Sequence, residues 1–452
     1  MEVSRCLSFH IHPHKKSEPD DDPHHFSPAA STLTPLSSPQ TPWTHTPFHS
    51  SSPSQTLLYQ CVTSLRRHDQ GNILSIAVLQ GNVITGTESN HIRVWRQPDF
   101  IERGYLKANS GNVRAIAVFG NVIFTAHQDH RVRVWNVTAG NSDNFCAKKL
   151  SVIPRHKSFD FVFRKKNLRH QDCISCLAYY HTEGLLYTGS WDKTVKTWTV
   201  SDQRCIDSFK AHNDTINAIV VNQEDGFVFT CSSDGSVKIW RRVYGENSHI
   251  LTMTLKFRET PVNAIALSSS FNGYYLYSAS SDGFINFWEK ENTSGRFNHG
   301  GFLQGHRFGV LCLAVIERVI FSGSEDTTIR VWRREEGSRI HECLAVLNGH
   351  LGPVQCLTAS ILAENVVMGF LLFSASMDGT FKGWRVKIIS EEHNTKNDTR
   401  VVICSSKMTP GEFERCSNRD QMNADEFLEF GMSPVLSPSW VQWKLQSNHN
   451  YF

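Results

Sequence analysis

The sequence predicts an all-β fold, a seven-bladed β-propeller with disordered N- and C-terminal tails, and two observations carry that prediction. One short phrase recurs seven times, each copy closed by a tryptophan: HIRVWR to Trp95, RVRVWN to Trp135, TVKTWT to Trp198, SVKIWR to Trp240, FINFWE to Trp288, TIRVWR to Trp332 and TFKGWR to Trp384. The tryptophans lie 40, 63, 42, 48, 44 and 52 residues apart. A period of roughly 40–45 residues that ends on a strand marks a radial β array, because such a unit cannot bury its apolar faces alone. The second observation is a hydroxyl four residues before each turn: Thr85, Thr125, Thr188, Thr230, Ser278, Ser322 and Ser374. A β sandwich with chance tryptophans would not repeat it.

The elements follow in chain order. Residues 1–56 are rich in Ser, Pro, Thr and His, a composition that buries too little surface to offset ordering entropy. Six Ser/Thr-Pro pairs there, at Ser27, Thr34, Ser38, Thr41, Thr46 and Ser52, are candidate phosphosites, each phosphate adding about −1.5 to −2 charges; a merely Pro-rich linker is the competing reading. His10, His12, His14, His24 and His25 read as a solvated tail, since no cysteine or spaced acid fixes a metal geometry. Leu57–Leu65 reads as an isolated strand ahead of the repeats, which occupy residues 57–388.

The fourth repeat shows the physics of a unit. Thr215–Val221 and Gly226–Ser232 read as strands, Asp234-Gly235 as a tight hairpin turn, and Ser236–Trp240 as the third strand. Thr230 and Trp240 then become cross-strand neighbours on one face. A carboxylate needs donors, an imidazole bridges, a hydroxyl both gives and accepts, and an indole N–H only donates. Asp234, His212, Thr230 and Trp240 can therefore satisfy one another when buried.

That quartet resembles the His–Ser/Thr–Asp–Trp tetrad of the WD40 family. Turn aspartates recur as Asp129, Asp192, Asp234, Asp282, Asp326 and Asp378, with Ser89 in the first unit. Loop histidines recur as His68, His170, His212, His306 and His350, with Asn109 and Arg258 in units two and five. Complete tetrads are expected in unit three (His170, Thr188, Asp192, Trp198), unit four (His212, Thr230, Asp234, Trp240), unit six (His306, Ser322, Asp326, Trp332) and unit seven (His350, Ser374, Asp378, Trp384). Units one, two and five should be softer. Ala115, Cys176, Ala218, Ala264, Cys312 and Cys356, all small, mark an inner-strand position where backbones crowd. In WD40 rings an N-terminal strand completes the last blade, so Leu57–Leu65 is expected to pair with the Trp384 strand and remove an open edge.

Two segments stand outside the repeat. Residues 140–169 form a basic insertion that lengthens the gap after Trp135; Lys148–Arg169 carries eight Lys/Arg against the single acid Asp160. It reads either as a solvated loop or, through Lys165, Lys166 and Arg169, as an import signal or docking strip. Residues 389–452 form an irregular tail whose Ser433–Trp440 phrase is a docking motif or a segment folded back on the ring.

Catalytic signatures are missing. There is no phosphate-binding loop, nucleophile elbow or H-E-x-x-H. Cys173-x-x-Cys176 lies on a predicted strand without a second pair, so neither redox nor zinc chemistry is expected. The His–Asp pairs recur periodically and are structural. The reading is no enzyme, no cofactor, no metal and no small-molecule substrate. A net charge of +3 from 46 basic and 43 acidic residues does not favour nucleic acid. Val366–Phe373, the longest near-apolar run, falls far short of the ~20 residues of a membrane span. No charged segment leads into an apolar stretch at the N-terminus, so no secretory signal is expected, and twelve cysteines without a framework suit a reducing compartment.

The resemblance implies binding. In WD40 relatives the residue before the turn aspartate points to the top face; here these are Glu88, Gln128, Trp191, Ser233, Ser281, Glu325 and Met377. Leu74, Arg114, Ser175, Asn217, Asn263, Leu311 and Gln355, at the start of the inner strands, are expected to join them. Trp191 leads, since a large aromatic on a rim is a typical hot spot. The Ser/Pro-rich head, the blade GNVIFTAHQDHRVRVW, the basic insertion and the Ser-Pro-Trp tail together resemble the plant JINGUBANG family of seven-bladed WD40 proteins. That resemblance implies a regulatory scaffold of cytoplasm and nucleus that touches transcription factors and bears on pollen germination, and the propeller is expected to be monomeric. Two alternatives stand beside it: a substrate receptor of a cullin-type ubiquitin ligase, although no blade tryptophan is followed by Asp-x-Arg, and nucleic-acid binding through the basic insertion, which would weaken steeply with salt.

Overall fold

A computed structural model describes residues 57–66, 71–79, 81–108, 110–138, 145–155, 169–270, 273–291, 293–362 and 368–388. After β1 (Leu57–Arg66), blade one comprises β2 (Ile73–Leu79), β3 (Asn82–Thr87), β4 (His91–Arg96) and β5 (Glu102–Lys107). Blade two is β6 (Val113–Phe119), β7 (Val122–His127), β8 (Val132–Thr138) and β9 (Cys146–Ile153). Blade three is β10 (Ile174–Tyr180), β11 (Leu185–Ser190), β12 (Thr194–Thr199) and β13 (Arg204–Lys210). Blade four is β14 (Ile216–Val221), β15 (Val228–Ser232), β16 (Val237–Val243) and β17 (Ser248–Leu255). Blade five is β18 (Val262–Ser270), β19 (Gly273–Ser280), β20 (Ile285–Lys290) and β21 (Phe297–Leu303). Blade six is β22 (Val310–Ile316), β23 (Val319–Ser324), β24 (Ile329–Arg334) and β25 (His341–Leu347). Blade seven is β26 (Val354–Leu362), β27 (Met368–Ser376) and β28 (Thr380–Ile388), completed by β1.

The fold is therefore an all-β, seven-bladed propeller, each blade a four-stranded antiparallel sheet. The closing strand pairs as the sequence suggests: Leu57 lies opposite Ile388, Cys61 opposite Trp384 and Arg66 opposite Thr380. The first and last segments of the repeat region thus share one sheet, in which β1 is the outer strand of blade seven and covers the edge of β28. Part of the basic insertion is a regular strand. Cys146–Ile153 is an outer strand paired with β8, and it carries Lys148 and Lys149, while 139–144 and 156–168 lie outside the described residues.

Each innermost strand carries a β-bulge at the same place. The register skips one residue between Ile73 and Ser75, Val113 and Ala115, Ile174 and Cys176, Ile216 and Ala218, Val262 and Ala264, Val310 and Cys312, and Val354 and Cys356. A bulge leaves its extra residue unpaired and re-aims that side chain. Several of the freed side chains bridge to the next blade. Ser175 Oγ donates to the Ile216 carbonyl at 2.5 Å, and the Asn217 and Asn263 amides donate to Val262 and Val310 at 2.8 Å. Gln355 Nε2 donates to the Ile73 carbonyl at 2.5 Å, joining blade seven to blade one. Ser75 Oγ and Cys312 Sγ, one residue further on, do the same to Val113 and Val354. Small residues are needed here. A Cβ on Gly189 would stand 2.6 Å from Cys176 Sγ, and one on Gly323 2.7 Å from Cys312 Sγ.

The seven repeat tryptophans are all buried between blades. Removing roughly 150–250 Å² of aromatic surface from water stabilises the fold by about 4–6 kcal/mol per ring at 25 cal/mol/Å². Every indole also donates to its blade's hydroxyl, at 2.9–3.0 Å in six blades and 3.2 Å in blade five. At the closing seam, Phe100 from the turn between β4 and β5 lies against Gly383 of β28 and packs on Phe373 and Phe381, with centroids 5.4 and 6.0 Å away.

Candidate protein-binding face

The tetrads fix the loops from which the face is built. His170 Nδ1 donates to Asp192 at 2.8 Å while its Nε2 meets Thr188 Oγ1 at 2.7 Å. The equivalent distances are 3.0 and 2.8 Å for His212, and 2.9 and 2.8 Å for His306. Because the carboxylate can only accept, Nδ1 carries the proton, Nε2 accepts from the hydroxyl, and the hydroxyl oxygen accepts from tryptophan. Burial pushes these imidazoles below their ordinary range, against the pull of Asp192, Asp234 and Asp326, so they are neutral bridges. Burial alone would raise the three carboxyls, but bonds from the histidine, the neighbouring hydroxyl and a loop N–H outweigh it and hold them below their usual range.

Blade seven departs from its expected tetrad. His350 Nε2 reaches Ser374 at 2.7 Å, but its Nδ1 stands 3.6 Å from Asp378, beyond hydrogen-bond range. Thr380 intervenes, accepting from Nδ1 at 2.8 Å and donating to Asp378 at 2.6 Å. Hydroxyls at the same place, Thr194, Ser236 and Thr328, also donate to their aspartates at 2.6 Å. This fifth member was legible as Asp-x-Ser/Thr, a pattern confined to the blades whose histidines make these bonds. The remaining blades improvise. In blade two His127, two residues beyond Thr125 and so on the same face of β7, supplies the imidazole at 2.8 Å from Thr125 Oγ1, while Asp129 turns to Arg133 at 2.7 Å. In blade five Arg258 approaches Asp282 at 3.5 Å and lies over Phe284 at 4.6 Å. His68 and Asn109 lie outside the described residues.

One backbone bond recurs in all seven blades. The residue before the turn aspartate, or before Ser89 in blade one, donates its N–H to the loop entering the inner strand: Glu88 to Asn72, Gln128 to Gly111, Trp191 to Cys173, Ser233 to Thr215, Ser281 to Pro261, Glu325 to Gly309 and Met377 to Pro353, at 2.9–3.4 Å. These residues therefore occupy equivalent places, and all are half-buried except exposed Gln128. Trp191 is less open than its rim position suggested. The Arg114 guanidinium from blade two stacks over its ring at 4.6 Å, and its indole N–H is buried without a hydrogen-bond partner among the described residues. Glu88 accepts from the Asn72 N–H and side chain.

The second expected set is corrected by the bulges. Leu74, Ser175, Asn217, Asn263, Leu311 and Gln355 are buried, because the bulge turns them along the blade junctions rather than outward. Leu311 packs under half-buried Met377 of the next blade, and the polar members are spent on the carbonyls described above. Arg114 alone of this set, still half-buried, reaches Trp191. Cys173 and Cys176 do not form a pair: Cys176 is buried against Gly189, whereas Cys173 stands on the loop beside Arg114 and Asp172. Burial pushes the Cys173 thiol up despite Arg114. The candidate phosphosites, the histidine tract, Lys165, Lys166 and the C-terminal tail lie outside the described residues. No helix among the described residues is long and apolar enough to cross a membrane.

Comparison with known proteins agrees with the geometry. The family profile described as "WD domain, G-beta repeat" matches residues 164–199, 203–241, 250–289, 298–333 and 341–385. Blades one and two, where Ser89 and His127 depart from the tetrad, fall outside those matches. Among relatives, the Arabidopsis thaliana DENN domain and WD repeat-containing protein SCD1 is 30% identical over 133 residues, 29% of this chain and 10% of its own length. The Homo sapiens kinesin-like protein KIF21B is 26% identical over 276 residues, 54% of this chain and 15% of its own. The Arabidopsis thaliana WD repeat-containing protein 26 homolog is 37% identical over 98 residues, covering 22% and 14%. The chain thus spans only a minor part of these relatives. Propellers of this kind are typically non-enzymatic platforms for protein partners, and this chain carries five matched WD40 repeats within its seven-bladed ring.

Proposed function

We propose that the chain is a non-enzymatic adaptor that holds a regulatory protein, a transcription factor in a plant cell, on the face carrying Trp191. The observation that carries this reading is the Arg114–Trp191 pair, in which a guanidinium stacks over the indole ring at 4.6 Å and the indole N–H has no hydrogen-bond partner among the described residues. Tryptophan and arginine are enriched at interface hot spots. The resemblance to the JINGUBANG family supports action in cytoplasm and nucleus and a part in pollen germination, with the ring acting as a monomer.

Affinity purification from pollen tests it, comparing the wild type with Trp191→Ala and with Ile340→Ala, a change at an exposed residue on the β24–β25 turn. Transcription factors retained by wild type and Ile340→Ala but lost from Trp191→Ala are the expected outcome. An unchanged set of captured proteins would refute the assignment of the face.

A further inference from the structure

We infer that His130, Asp172 and Cys173 form a binding site for one divalent metal ion of the zinc class, joining blade two to blade three. This goes beyond the adaptor reading and stands independently of it. His130 lies in the turn between β7 and β8, and Asp172-Cys173 in the loop that enters β10. Their ligand atoms, one nitrogen, one oxygen and one sulfur, all lie within 4.8 Å of one another. A tetrahedral ion with bonds of about 2.0–2.3 Å holds its ligands about 3.4–3.7 Å apart, so closing on the ion needs side-chain rotation of an ångström or so.

The backbones that carry these groups are already fixed. His130 has φ 56° and donates its N–H to the His127 carbonyl at 3.1 Å. The Asp172 carbonyl accepts from Ser190 Oγ at 3.1 Å, and the Cys173 carbonyl accepts from the Trp191 N–H at 3.0 Å. Asp172 Oδ1 accepts the Cys173 N–H at 2.7 Å, which leaves its second oxygen for an ion. The His130 ring makes no hydrogen bond to any described residue, so ligation costs it no existing partner. A thiolate and a carboxylate balance a dication, while the mixed N, O, S donor set disfavours calcium and magnesium, which take oxygen. The position also makes mechanical sense. Blade two lacks the loop-histidine link seen in blades three, four and six, and an ion here would tie its turn to the next blade. Three protein ligands leave one position for water or for a group from a partner.

Cobalt(II) is the probe, added to chelator-treated, reduced full-length protein. One equivalent should produce a thiolate-to-cobalt charge-transfer band and raise the melting temperature. Cys173→Ser should abolish the band. His130→Asn, chosen because asparagine tolerates the positive φ, should weaken cobalt binding by about 10-fold or more, and both variants should lose the thermal shift. Cys6→Ser should leave band and shift intact, which separates this site from the histidine-rich head. Near-ultraviolet circular dichroism without metal reports whether each variant keeps the native fold. A wild type without the band at tenfold excess cobalt, or a band that persists in Cys173→Ser, would overturn the inference.

Discussion

Gly383→Ala should destabilise the ring through a residue of the first blade. A Cβ at position 383 would stand 1.7 Å from Phe100 Cζ and 2.5 Å from both Cε atoms. Carbon pairs settle at about 3.5–4.0 Å, so the ring would have to retreat by roughly 2 Å. It has nowhere to go: Phe100 is buried, held by its N–H to the Arg96 carbonyl at 2.8 Å, and flanked by Phe373 and Phe381. Overpacking of this kind costs about 1–3 kcal/mol, and Phe100→Ala, which empties the same space, about 3–5 kcal/mol. The other blades place Val, Thr, Ile or Phe before the repeat tryptophan, which suggests the repair. Gly383→Val in the Phe100→Ala background should fill part of the void and recover about 1 kcal/mol or more, within the coupling range of contacting residues. Urea unfolding followed by tryptophan fluorescence on the four proteins measures the cycle, with the slope held common. Additive effects, with coupling below about 0.5 kcal/mol, would show that Phe100 does not lock the seam.

Two further outcomes follow from the same geometry. Deleting residues 1–70 removes β1 and should abolish soluble expression, whereas deleting 1–50 should not, because the first exposes the edge of β28; equal solubility would refute the closing role. Acid should also weaken the ring through neutral buried histidines. Burial, with help from Arg133, holds His127 down to about 3, and burial holds His350 down to about 4. The unfolded chain takes up those protons near the ordinary value of 6.5, so this stability is complete above that pH and is lost as pH falls toward the folded values. Between pH 7.5 and 5.5 each such group costs about 1.4 kcal/mol. His127→Gln should therefore lose about 1.4 kcal/mol less than wild type over that interval, read from urea midpoints; identical pH dependence would mean that His127 is not held neutral.

Much of the candidate face was legible because it repeats. Trp191 could be placed from Asp192 alone, since the hairpin turn fixes the residue before it in every blade. Its Arg114 neighbour was named in the other set, but their contact crosses a blade junction and depends on a bulge that no local pattern announces. Leu311 and Gln355 were misjudged for the same reason: the extra residue of a bulge reverses the alternation that strand periodicity assumes. His127 could have been found, because positions i and i+2 on a strand share a face and Thr125 needed an imidazole.

The sequence by itself determined the number of blades, the buried tryptophan–hydroxyl pairs and the strand that closes the ring. These depend on spacing within a unit or on the edge that a closed ring cannot leave unpaired. Only the tertiary structure decided what happens between units: the bulge side chains reaching the next carbonyl, Phe100 seated on Gly383, Arg114 over Trp191, and His130 brought beside Asp172 and Cys173. Local propensity sets hydrogen bonds along a hairpin, but contacts between blades arise when the closed ring imposes its spacing on side chains far apart in the chain.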